Sequence, residues 1–346
     1  MTGRLVLAAN NGELGGGEVM LLHLADAARG LGLDVAVVGP DAEAGVLDRA
    51  EASGHPVTRL SASRRRYLRE LRDWDRAKGG RGDAVLWCNG LVPAAATTGH
   101  RGRVVHLHQE PLGLHRPLAR LATRGALTTL VPSHSMAARV PRTRVLWNWT
   151  DDQPATRRPA SDGVVTLGFL GRPSPDKGVT VLAEALAQLE REHPGRHRLL
   201  LAGEPHFVDE RERDRAESAI APVAHLVDRP GWLDRAAFFE TIDLAVFPSV
   251  IAESFGLVAA EAMAARAPFV ISDAGALPEV TGPDHPWVAR AGDAADLARV
   301  IATATRATEG ERTAYLDAAR QRWHTHFSPD AGRARLHDLL TDLRLL

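Results

Sequence analysis

Two cations, Arg172 and Lys177, follow an apolar run that is typical of a buried strand, and a glycine stands beside each of them. The intervening sequence leads into a predicted helix. Arginine offers a planar fork of N–H donors and lysine a compact positive charge, so the two side chains together could neutralise a diphosphate. A charged loop exposed to solvent is the alternative. The expected position of this loop opposite a second, glycine-rich loop favours the ligand-binding interpretation.

Two glutamates, Glu253 and Glu261, bracket the predicted start of a helix near Gly256. Eight residues of helix span roughly 12 Å at most, and the unpaired N–H groups at a helix start attract anions. A ligand could therefore place hydroxyls on Glu253, phosphates on the amides of Gly256 and Leu257, and a diol on Glu261. Glu253 could instead simply favour the helix start through its charge. Glu261 lies in a run of Ala and Met that should be buried, so it needs a polar partner.

A glycine-rich loop, Asn10-Asn-Gly-Glu-Leu-Gly-Gly-Gly-Glu18, separates the first predicted strand from the first predicted helix. Glycines let the backbone approach a ligand closely, and the helix start offers N–H groups to an anion. A flexible turn is the alternative. The loop matches a dinucleotide-binding fingerprint poorly, because Met20 stands where a third glycine is required.

Two histidines, His106 and His108, end another predicted strand and should point to one face of it. A metal site is disfavoured, because no third ligand lies at a useful spacing. His106 is expected to be a structural residue bonded to backbone. His108, nearer the strand end, is expected to contact a sugar or an acceptor.

Short apolar runs alternate with helical patterns over almost the whole chain, which predicts parallel strands covered by helices on both faces. Polar residues 151–163 contain prolines and show no apolar periodicity, so a linker between two domains is expected there. Ligands of such sheets bind beyond the carboxyl ends of the strands, and we expect the two domains to face a shared cleft. The predicted strands are 4–9, 34–39, 84–88, 104–108, 129–131 and 144–147, then 164–170, 198–202, 224–227, 244–248 and 268–272; the tail is predicted to be helical.

The composition excludes several classes of protein. The 346 residues include 42 Lys plus Arg and 43 Asp plus Glu, so the net charge of -1 gives no general attraction to nucleic acid. Cys88 is the single cysteine, which rules out an internal disulfide framework or a cysteine-based zinc site and fits a reducing compartment. The first apolar run is too short for a signal peptide, and no run reaches the roughly 18 residues of a membrane span. These features predict a soluble, cytoplasmic protein.

The motifs together resemble those of the retaining glycosyltransferases with two Rossmann domains, the GT-B fold, and specifically glycosyltransferase family 4, the "glycosyl transferases group 1". The resemblance covers nearly the whole chain and is strongest over residues 168–280. The motifs that carry it are the Gly-Gly-Gly-Glu18 loop, Gly-Arg172-x4-Lys177-Gly178, the E-x7-E pattern from Glu253 to Glu261, and the loop Ala274-Gly-Ala-Leu-Pro-Glu279-Val.

The resemblance implies a role for each matching residue. Arg172 and Lys177 would bind the donor diphosphate and stabilise the leaving group, Glu253 would hold the transferred sugar, and Glu261 the ribose hydroxyls. His108 would reach the sugar. It further implies retention of anomeric configuration and no requirement for a metal or cofactor. The remaining donor-binding positions are Gly16 and Gly17, which would close over the phosphates, and Ser254, Phe255, Gly256 and Leu257 at the helix start.

Two segments qualify the resemblance. Many relatives carry Asn-Gly-x-Asp near the interdomain linker, whereas this chain has Trp149 in place of the glycine. The segment from Arg64 to Trp74 combines an apolar helical face with five arginines. It could dock on the inner membrane surface or hold an acidic acceptor, but a helix packed on its own sheet with solvated arginines is favoured over both.

The sequence thus predicts an α/β protein of the GT-B class, with two Rossmann-like doubly wound domains facing across a cleft. The expected boundaries are an acceptor-side domain at 1–152, a linker at 153–162 and a nucleotide-sugar-binding domain at 163–346, whose last helix can cross back. The predicted activity is metal-independent, retaining transfer of a sugar from a nucleotide diphosphate sugar to a small-molecule, glycan or lipid-linked acceptor. The alternatives are a same-fold sugar phosphorylase, a nucleotide-sugar epimerase, a non-catalytic nucleotide-sugar-binding protein and, less compatible with the glycine loop, a nicotinamide oxidoreductase.

Overall fold

The computed structural model describes residues 3–77, 83–153, 163–204 and 209–346. The chain divides into two compact units, one formed by Met1–Trp149 with Pro329–Leu346 and the other by Thr150–Ser328. The stretch Pro329–Leu346 therefore belongs to the first unit. Of the linker predicted at 153–162, only Gln153 lies within the described residues.

The first unit contains, within the described residues, a parallel sheet of seven strands in the order β3-β2-β1-β4-β5-β6-β7. Its strands are β1 Arg4–Ala9, β2 Asp34–Pro40, β3 Val57–Leu60, β4 Val85–Asn89, β5 Arg103–His106, β6 Thr128–Val131 and β7 Arg144–Val145. Its helices are α1 Gly16–Gly30, α2 Val46–Ala52, α3 Arg64–Arg76, α4 Leu91–Ala96, α5 His115–Ala122, α6 His134–Arg139 and α14 Pro329–Asp342.

Alternation along the central strand divides the first unit into two cores. Leu5 and Leu7 point into one core, with α1, α2 and α14, whereas Val6 and Ala8 point into the other, with α3, α4 and α6. Successive side chains of a strand point to opposite faces, so a continuous apolar run is buried on both sides.

The second unit contains, among the residues that the structure describes, a parallel sheet of six strands in the order β10-β9-β8-β11-β12-β13. Its strands are β8 Val165–Leu170, β9 His197–Ala202, β10 Val227–Gly231, β11 Leu244–Phe247, β12 Phe269–Ser272 and β13 Val288–Ala289. Its helices are α7 Val179–Glu192, α8 Glu210–Ile220, α9 Arg235–Thr241, α10 Leu257–Ala264, α11 Leu277–Thr281, α12 Ala294–Arg306 and α13 Glu309–His326, with a 3₁₀ helix at Ala221–Leu226.

Both sheets have the strand order of a doubly wound Rossmann-type sheet, so the predicted fold class is confirmed. The order reverses between β1 and β4 in the first unit and between β8 and β11 in the second. Such reversals open a crevice at the carboxyl ends of the strands, where ligands of these folds bind. None of the helices in the described ranges combines the length and the apolar character needed to cross a bilayer.

Some predicted strands differ from the structure. The strand predicted at 224–227 is wrong: Pro222 starts a 3₁₀ helix over Ala221–Leu226, and the strand is Val227–Gly231. The strand predicted to reach His108 ends at His106, so His108 lies in the loop that follows. Two short strands, Val57–Leu60 and Val288–Ala289, were not predicted, because each offers too few apolar residues to make a pattern.

Trp149, the departure from the family pattern, is a packing residue of the first unit. Its indole is buried and stacks on His23, whose Nδ1 lies 3.1 Å from the Trp149 carbonyl oxygen. The indole also lies directly against Gly332 of α14, where a Cβ atom would overlap the ring. The bulky residue and the helical glycine are therefore complementary, and together they seat the last helix.

This fit predicts that Gly332→Ala destabilises the protein. The added methyl has to displace the buried indole, and overpacking of this kind costs about 1–3 kcal/mol of unfolding free energy. Thermal and urea unfolding of the full chain measure the loss. Gly310→Ala is the matched control, because Gly310 is also helical but has open space around its Cβ position, so about 0.5–1 kcal/mol of stabilisation is expected. Equal effects of the two substitutions would contradict the proposed fit.

Candidate functional site

In the first unit, the glycine loop and His108 are held together by Asn89. Asn89 ends β4, and its Nδ2 donates to the Gly17 carbonyl oxygen at 2.8 Å. Its Oδ1 lies 2.8 Å from His108 Nε2, and a Cβ on Gly17 would be 3.4 Å from the His108 ring. Gly17 lies next to exposed Gly16 at the start of α1, and its lack of a side chain leaves room for the His108 ring.

The same hydrogen bonds fix the tautomer of His108. Because the Asn89 amide nitrogen faces the Gly17 carbonyl, its oxygen must accept, so His108 Nε2 carries the proton and donates. Nδ1 is then a lone-pair acceptor, buried and without a hydrogen-bond partner in the part of the chain that the structure describes. Burial lowers the pKa of His108 to about 4, so the ring is neutral at physiological pH.

His106 is a fully buried neighbour of His108. The two rings lie 4.1 Å apart, and Trp87 packs on His106 from the other side. Burial, and secondarily His108, holds the pKa of His106 well below its usual range. The expected backbone bond of His106 is absent among the described residues, so it is a packing residue. Within those residues no group of three or more His, Cys, Asp or Glu side chains has an arrangement that could hold a metal.

Glu18, in the first turn of α1, holds the glycine loop through a hydrogen bond to its backbone. Its Oε1 accepts from the Asn11 N–H at 3.0 Å, and the side chain is buried. Burial raises its pKa to about 7, although the hydrogen bonds from the loop oppose the shift. Glu18 therefore fixes the loop conformation and titrates near neutrality.

In the second unit, Arg172 follows the end of β8 by two residues. Gly171 before it has a φ of 138°, and Gly203 approaches the Gly171 carbonyl so closely that a Cβ on Gly203 would overlap it. Arg172 is half-buried, and its Nε is buried without a hydrogen-bond partner in the described ranges. The guanidinium thus offers an N–H donor at the carboxyl edge of the sheet.

Lys177 and Glu253 form an ion pair at the same edge. Lys177 Nζ lies 2.6 Å from Glu253 Oε1, which also accepts from the buried Ser249 hydroxyl. The loops that carry the pair touch each other, because Gly178, with a φ of 79°, lies against the Pro248 carbonyl. The sequence separates the two side chains by 76 positions, and the ends of adjacent strands β8 and β11 bring them together.

Glu253 is also held through its backbone. It forms an isolated parallel bridge with Gly275, whose φ of 63° and close approach to the Glu253 backbone exclude a side chain there. The Ala276 N–H donates to the Glu253 carbonyl oxygen at 3.0 Å. The loop Ala274–Glu279 that resembled the family pattern is thus the support on which Glu253 rests.

The remaining predicted positions form the start of α10. Ser254 is half-buried. Phe255 is buried, and its ring centroid lies 5.5 Å from that of Phe327. Gly256 is the N-cap with a φ of 95°, and Leu257 is the first helical residue. Leu277 lies so close to Gly256 that a Cβ would be 2.6 Å from it. This turn follows Glu253 by three residues, so its amides begin α10 close in the chain to the Lys177–Glu253 pair.

Glu261 lies on the buried side of α10, as its alanine-rich surroundings predict. Its side chain is 10% exposed, and Oε1 lies 3.4 Å from Nε of Arg235, the first residue of α9. Oε2 is buried and lacks a hydrogen-bond partner among the residues described. The carboxylate is therefore half satisfied by protein and keeps one oxygen for a further donor.

Sequence reasoning missed four residues of this arrangement. Arg235 and Ser249 partner the two glutamates, and Asn89 orients His108. Each of the three follows or ends a strand, a signal that could have singled them out. Trp232 follows the end of β10 with 62% of its surface exposed, three residues before Arg235.

Residues 164–306 match the protein-family model described as "Glycosyl transferases group 1". The chain is 39% identical over 110 residues to the MMP alpha-(1->4)-mannosyltransferase of Mycolicibacterium hassiacum, an alignment that covers 32% of this chain and 26% of that protein. It is 39% identical over 129 residues to the glycogen synthase of Mycobacterium tuberculosis, covering 36% and 30%. The chain thus spans less than a third of the length of these relatives, and its second unit contains a glycosyl transferases group 1 domain.

Solved structures resemble the whole chain. Anabaena HepE in complex with UDP-glucose has a TM-score of 0.81 at 20% identity, covering 98% of this chain and 99% of that one. The sucrose-phosphate synthase of Thermosynechococcus elongatus has a TM-score of 0.82 at 18% identity, covering 99% of both. The chain therefore has the GT-B fold, a two-domain α/β architecture.

The buried Glu18 predicts a specific pH dependence of stability. Its pKa is higher in the folded than in the unfolded chain, so its contribution is most favourable below about pH 4.5 and is lost as the pH rises through about 7. The loss amounts to about 3 kcal/mol at most. Glu18→Gln should remove it, flattening the difference in unfolding free energy between pH 4.5 and 7.5 in urea titrations.

Glu13→Gln is the matched control for Glu18→Gln, because Glu13 lies in the same loop but is exposed. It should retain the pH dependence of the unchanged protein. The burial argument fails if Glu18→Gln and the unchanged protein have parallel stability profiles across this range.

Proposed function

We propose that this protein is a metal-independent, retaining glycosyltransferase that moves a sugar from a nucleotide diphosphate sugar to an acceptor. The observation that carries the proposal is the polar cluster at the carboxyl edge of the second sheet. The ion pairs Lys177–Glu253 and Arg235–Glu261 place one glutamate before and one after the start of α10, within residues that match the glycosyl transferases group 1 model. The HepE neighbour, solved with UDP-glucose, supports this class of donor.

The donor diphosphate is assigned to Arg172, Lys177 and the first amides of α10. Arg172 has a buried N–H without a partner in the described residues, and Lys177 is held at this edge by Glu253. The amides of Gly256 and Leu257 add fixed partial charges of the same sign. A diphosphate bound by these groups is stabilised further as it leaves, because its negative charge grows.

The sugar and the ribose are assigned to the two glutamates. Glu253, whose Oε1 already accepts from Lys177 and Ser249, is placed to accept hydroxyls of the transferred sugar as well. Glu261 Oε2 is the acceptor that a ribose hydroxyl would satisfy. Such a hydroxyl would complete the hydrogen bonding of a buried carboxylate, which favours binding.

The chemistry follows from these charges. The bond between the sugar C1 and the phosphate oxygen breaks, and the acceptor oxygen bonds to C1 from the same face. The acceptor proton passes to the departing phosphate oxygen, so no protein carboxylate forms a covalent intermediate and the configuration is retained. The fixed cations and amides supply the charge stabilisation that a divalent metal would otherwise give.

His108, Gly16 and Gly17 of the first unit are proposed to contact the sugar and the phosphates of the donor, as their sequence motifs predict. His108, neutral and with Nδ1 as an acceptor, suits a contact with a sugar hydroxyl. Gly16 and Gly17 at the start of α1 suit close approach of a phosphate, since neither presents a side chain. The acceptor is a small molecule, a glycan or a lipid-linked sugar.

We expect Lys177→Ala and Glu261→Gln to weaken donor binding by about ten- to a hundredfold, because each removes a charge-assisted contact worth about 1.5–3 kcal/mol. A thermal-shift panel of nucleotide diphosphate sugars identifies the donor. Isothermal titration and release of the nucleotide diphosphate then measure binding and turnover.

Arg299→Ala is the control for loss of a cation, because Arg299 is an exposed residue of α12. It should bind and turn over the donor as the unchanged protein does. The same assays run in EDTA should give unchanged rates. Activity that requires an added divalent ion would overturn the metal-free proposal, and full activity in Lys177→Ala would remove the role given to Lys177.

Trp232 is expected to stack on the nucleobase. It precedes Arg235, the partner of Glu261, by three positions in the loop that follows β10, so a nucleotide whose ribose is bound by Glu261 would have this exposed indole available for its base. Trp232→Ala should raise the donor KM about five- to a hundredfold, since stacking contributes about 1–3 kcal/mol, while kcat stays nearly unchanged. Trp232→Phe should restore most of the affinity. A fall in kcat alone would contradict this role.

A further inference from the structure

The first unit exposes a cluster of leucines around α5. Leu112, Leu114, Leu118, Leu121 and Leu127 are 58%, 89%, 40%, 48% and 47% exposed. They are five of the nine large apolar side chains found exposed in the described part of the chain. We call these five side chains the leucine surface. Isolated exposed leucines are normal on proteins, but a concentration in one short segment marks an interaction site.

The helix at this surface is packed with its smaller residues inward. Ala119 and Ala122 of α5 are buried, whereas Leu118 and Leu121 are exposed. A helix that only covered its own core would place the larger apolar residues inside, because they gain more from burial. The outward leucines are therefore matched to an apolar environment outside the protein.

The charges within residues 111–127 have one sign, and the acid that precedes them, Glu110, is half-buried and paired with Arg139. Residues 111–127 contain Arg116, Arg120, Arg124 and His115 and no Asp or Glu. The three arginines are exposed; Arg116 has a long contact of 3.5 Å with Glu110. Leucines flanked by arginines without acids are typical of a surface that inserts at the interface of an anionic bilayer.

A second group of arginines lies on the same face of the sheet. Helix α4 packs against both α3 and α5, so α3 lies one helix away from α5 over the same core. Arg64, Arg65, Arg66 and Arg69 of α3 are exposed and outnumber the exposed acids of the same helix, Glu70 and Asp73. The apolar residues of α3 point the other way: Tyr67 and Leu71 are buried, and the Tyr67 hydroxyl donates to the Ala9 carbonyl oxygen at 2.6 Å.

This packing changes the membrane contact expected from the sequence. The segment from Arg64 to Trp74 cannot insert an apolar face, because the first unit uses that face as core, and α3 can contribute only charge. We propose instead that the leucine surface, with the arginines of α5 and α3 around it, docks the first unit on an anionic lipid bilayer. The leucines enter the interfacial layer while the guanidinium groups bind lipid phosphates.

A second copy of the chain fits this surface less well than a bilayer. A twofold interface would place the same patch on both partners, so arginines would face arginines with no acid in residues 111–127 to compensate. Nucleic acid would pair with the arginines but leave the leucines in water. A negatively charged surface with an apolar interior satisfies both sets of side chains.

Vesicle flotation of the full chain tests the proposal. The probes are vesicles of phosphatidylcholine alone and of phosphatidylcholine with about one third phosphatidylglycerol. The protein should float with the anionic vesicles at about 0.1 M salt, at least about tenfold more strongly than with neutral ones, and lose much of this binding at about 0.5 M salt.

The test variant is Leu114→Ser/Leu118→Ser/Leu121→Ser, whose positions are exposed, so that the fold should be kept. It should bind anionic vesicles at least about tenfold more weakly, at an unchanged unfolding temperature. Leu346→Ser, at an exposed leucine outside the surface, is the matched control and should bind as the unchanged protein does. A charge variant, Arg120→Glu/Arg124→Glu, should abolish the preference for anionic vesicles.

Several results would overturn the proposal. These are no binding of the unchanged protein to anionic vesicles, equal binding to both vesicle types, or unchanged binding of the triple serine variant. A concentration-dependent dimer that the serine variant abolishes, without vesicle binding, would assign the surface to a second copy instead. The donor-induced thermal shift should be the same in the triple variant, so this test and that of the proposed transferase activity can fail separately.

Discussion

The polar residues of the second unit are arranged around one constraint, the burial of the Glu261 carboxyl group among the alanine side chains of α10. Glu261 needs polar partners because burial without them is costly, and Arg235 satisfies one of its two oxygens. The small residues of α10 let the helix lie close to its neighbours, and the left-handed Gly256 allows the abrupt turn into it. Lys177 and Glu253 form a second ion pair, in the loops that follow β8 and β11. The edge of the sheet is thus a set of mutually compensating charges that a polyanionic, hydroxyl-rich ligand could join.

The first unit presents a different chemistry at its own carboxyl edge. Burial lowers the pKa of both His106 and His108, which keeps these two rings neutral, and Asn89 rather than an ion pair sets the orientation of His108. The loop above them is held by Glu18, a carboxyl group that burial shifts toward neutrality. One unit therefore offers fixed charges, whereas the other offers uncharged hydrogen-bonding groups and bare glycine backbone.

Much of this arrangement could be predicted from the sequence, because parallel strands buried on both faces leave continuous apolar runs, and functional loops follow their carboxyl ends. The burial of Glu261 followed from its alanine neighbours. Its pairing with Arg235 did not, since the two residues are 26 positions apart and meet only in the folded unit. The edge strand Val57–Leu60 was not predicted, because it has too few apolar residues to form a pattern. The packing role of Trp149 depends on Gly332, 183 positions later, and no local sequence pattern reveals that fit.

The return of α14 to the first unit has a topological consequence. The second unit is one uninterrupted stretch of chain whose ends meet, since the Thr150 N–H donates to the Phe327 carbonyl oxygen at 3.0 Å and the Trp323 indole to the Thr150 hydroxyl at 2.8 Å. The first unit, in contrast, is assembled from two distant pieces. During synthesis on the ribosome, the second unit can therefore fold as soon as Ser328 has emerged, whereas the first unit is complete only after α14 has followed.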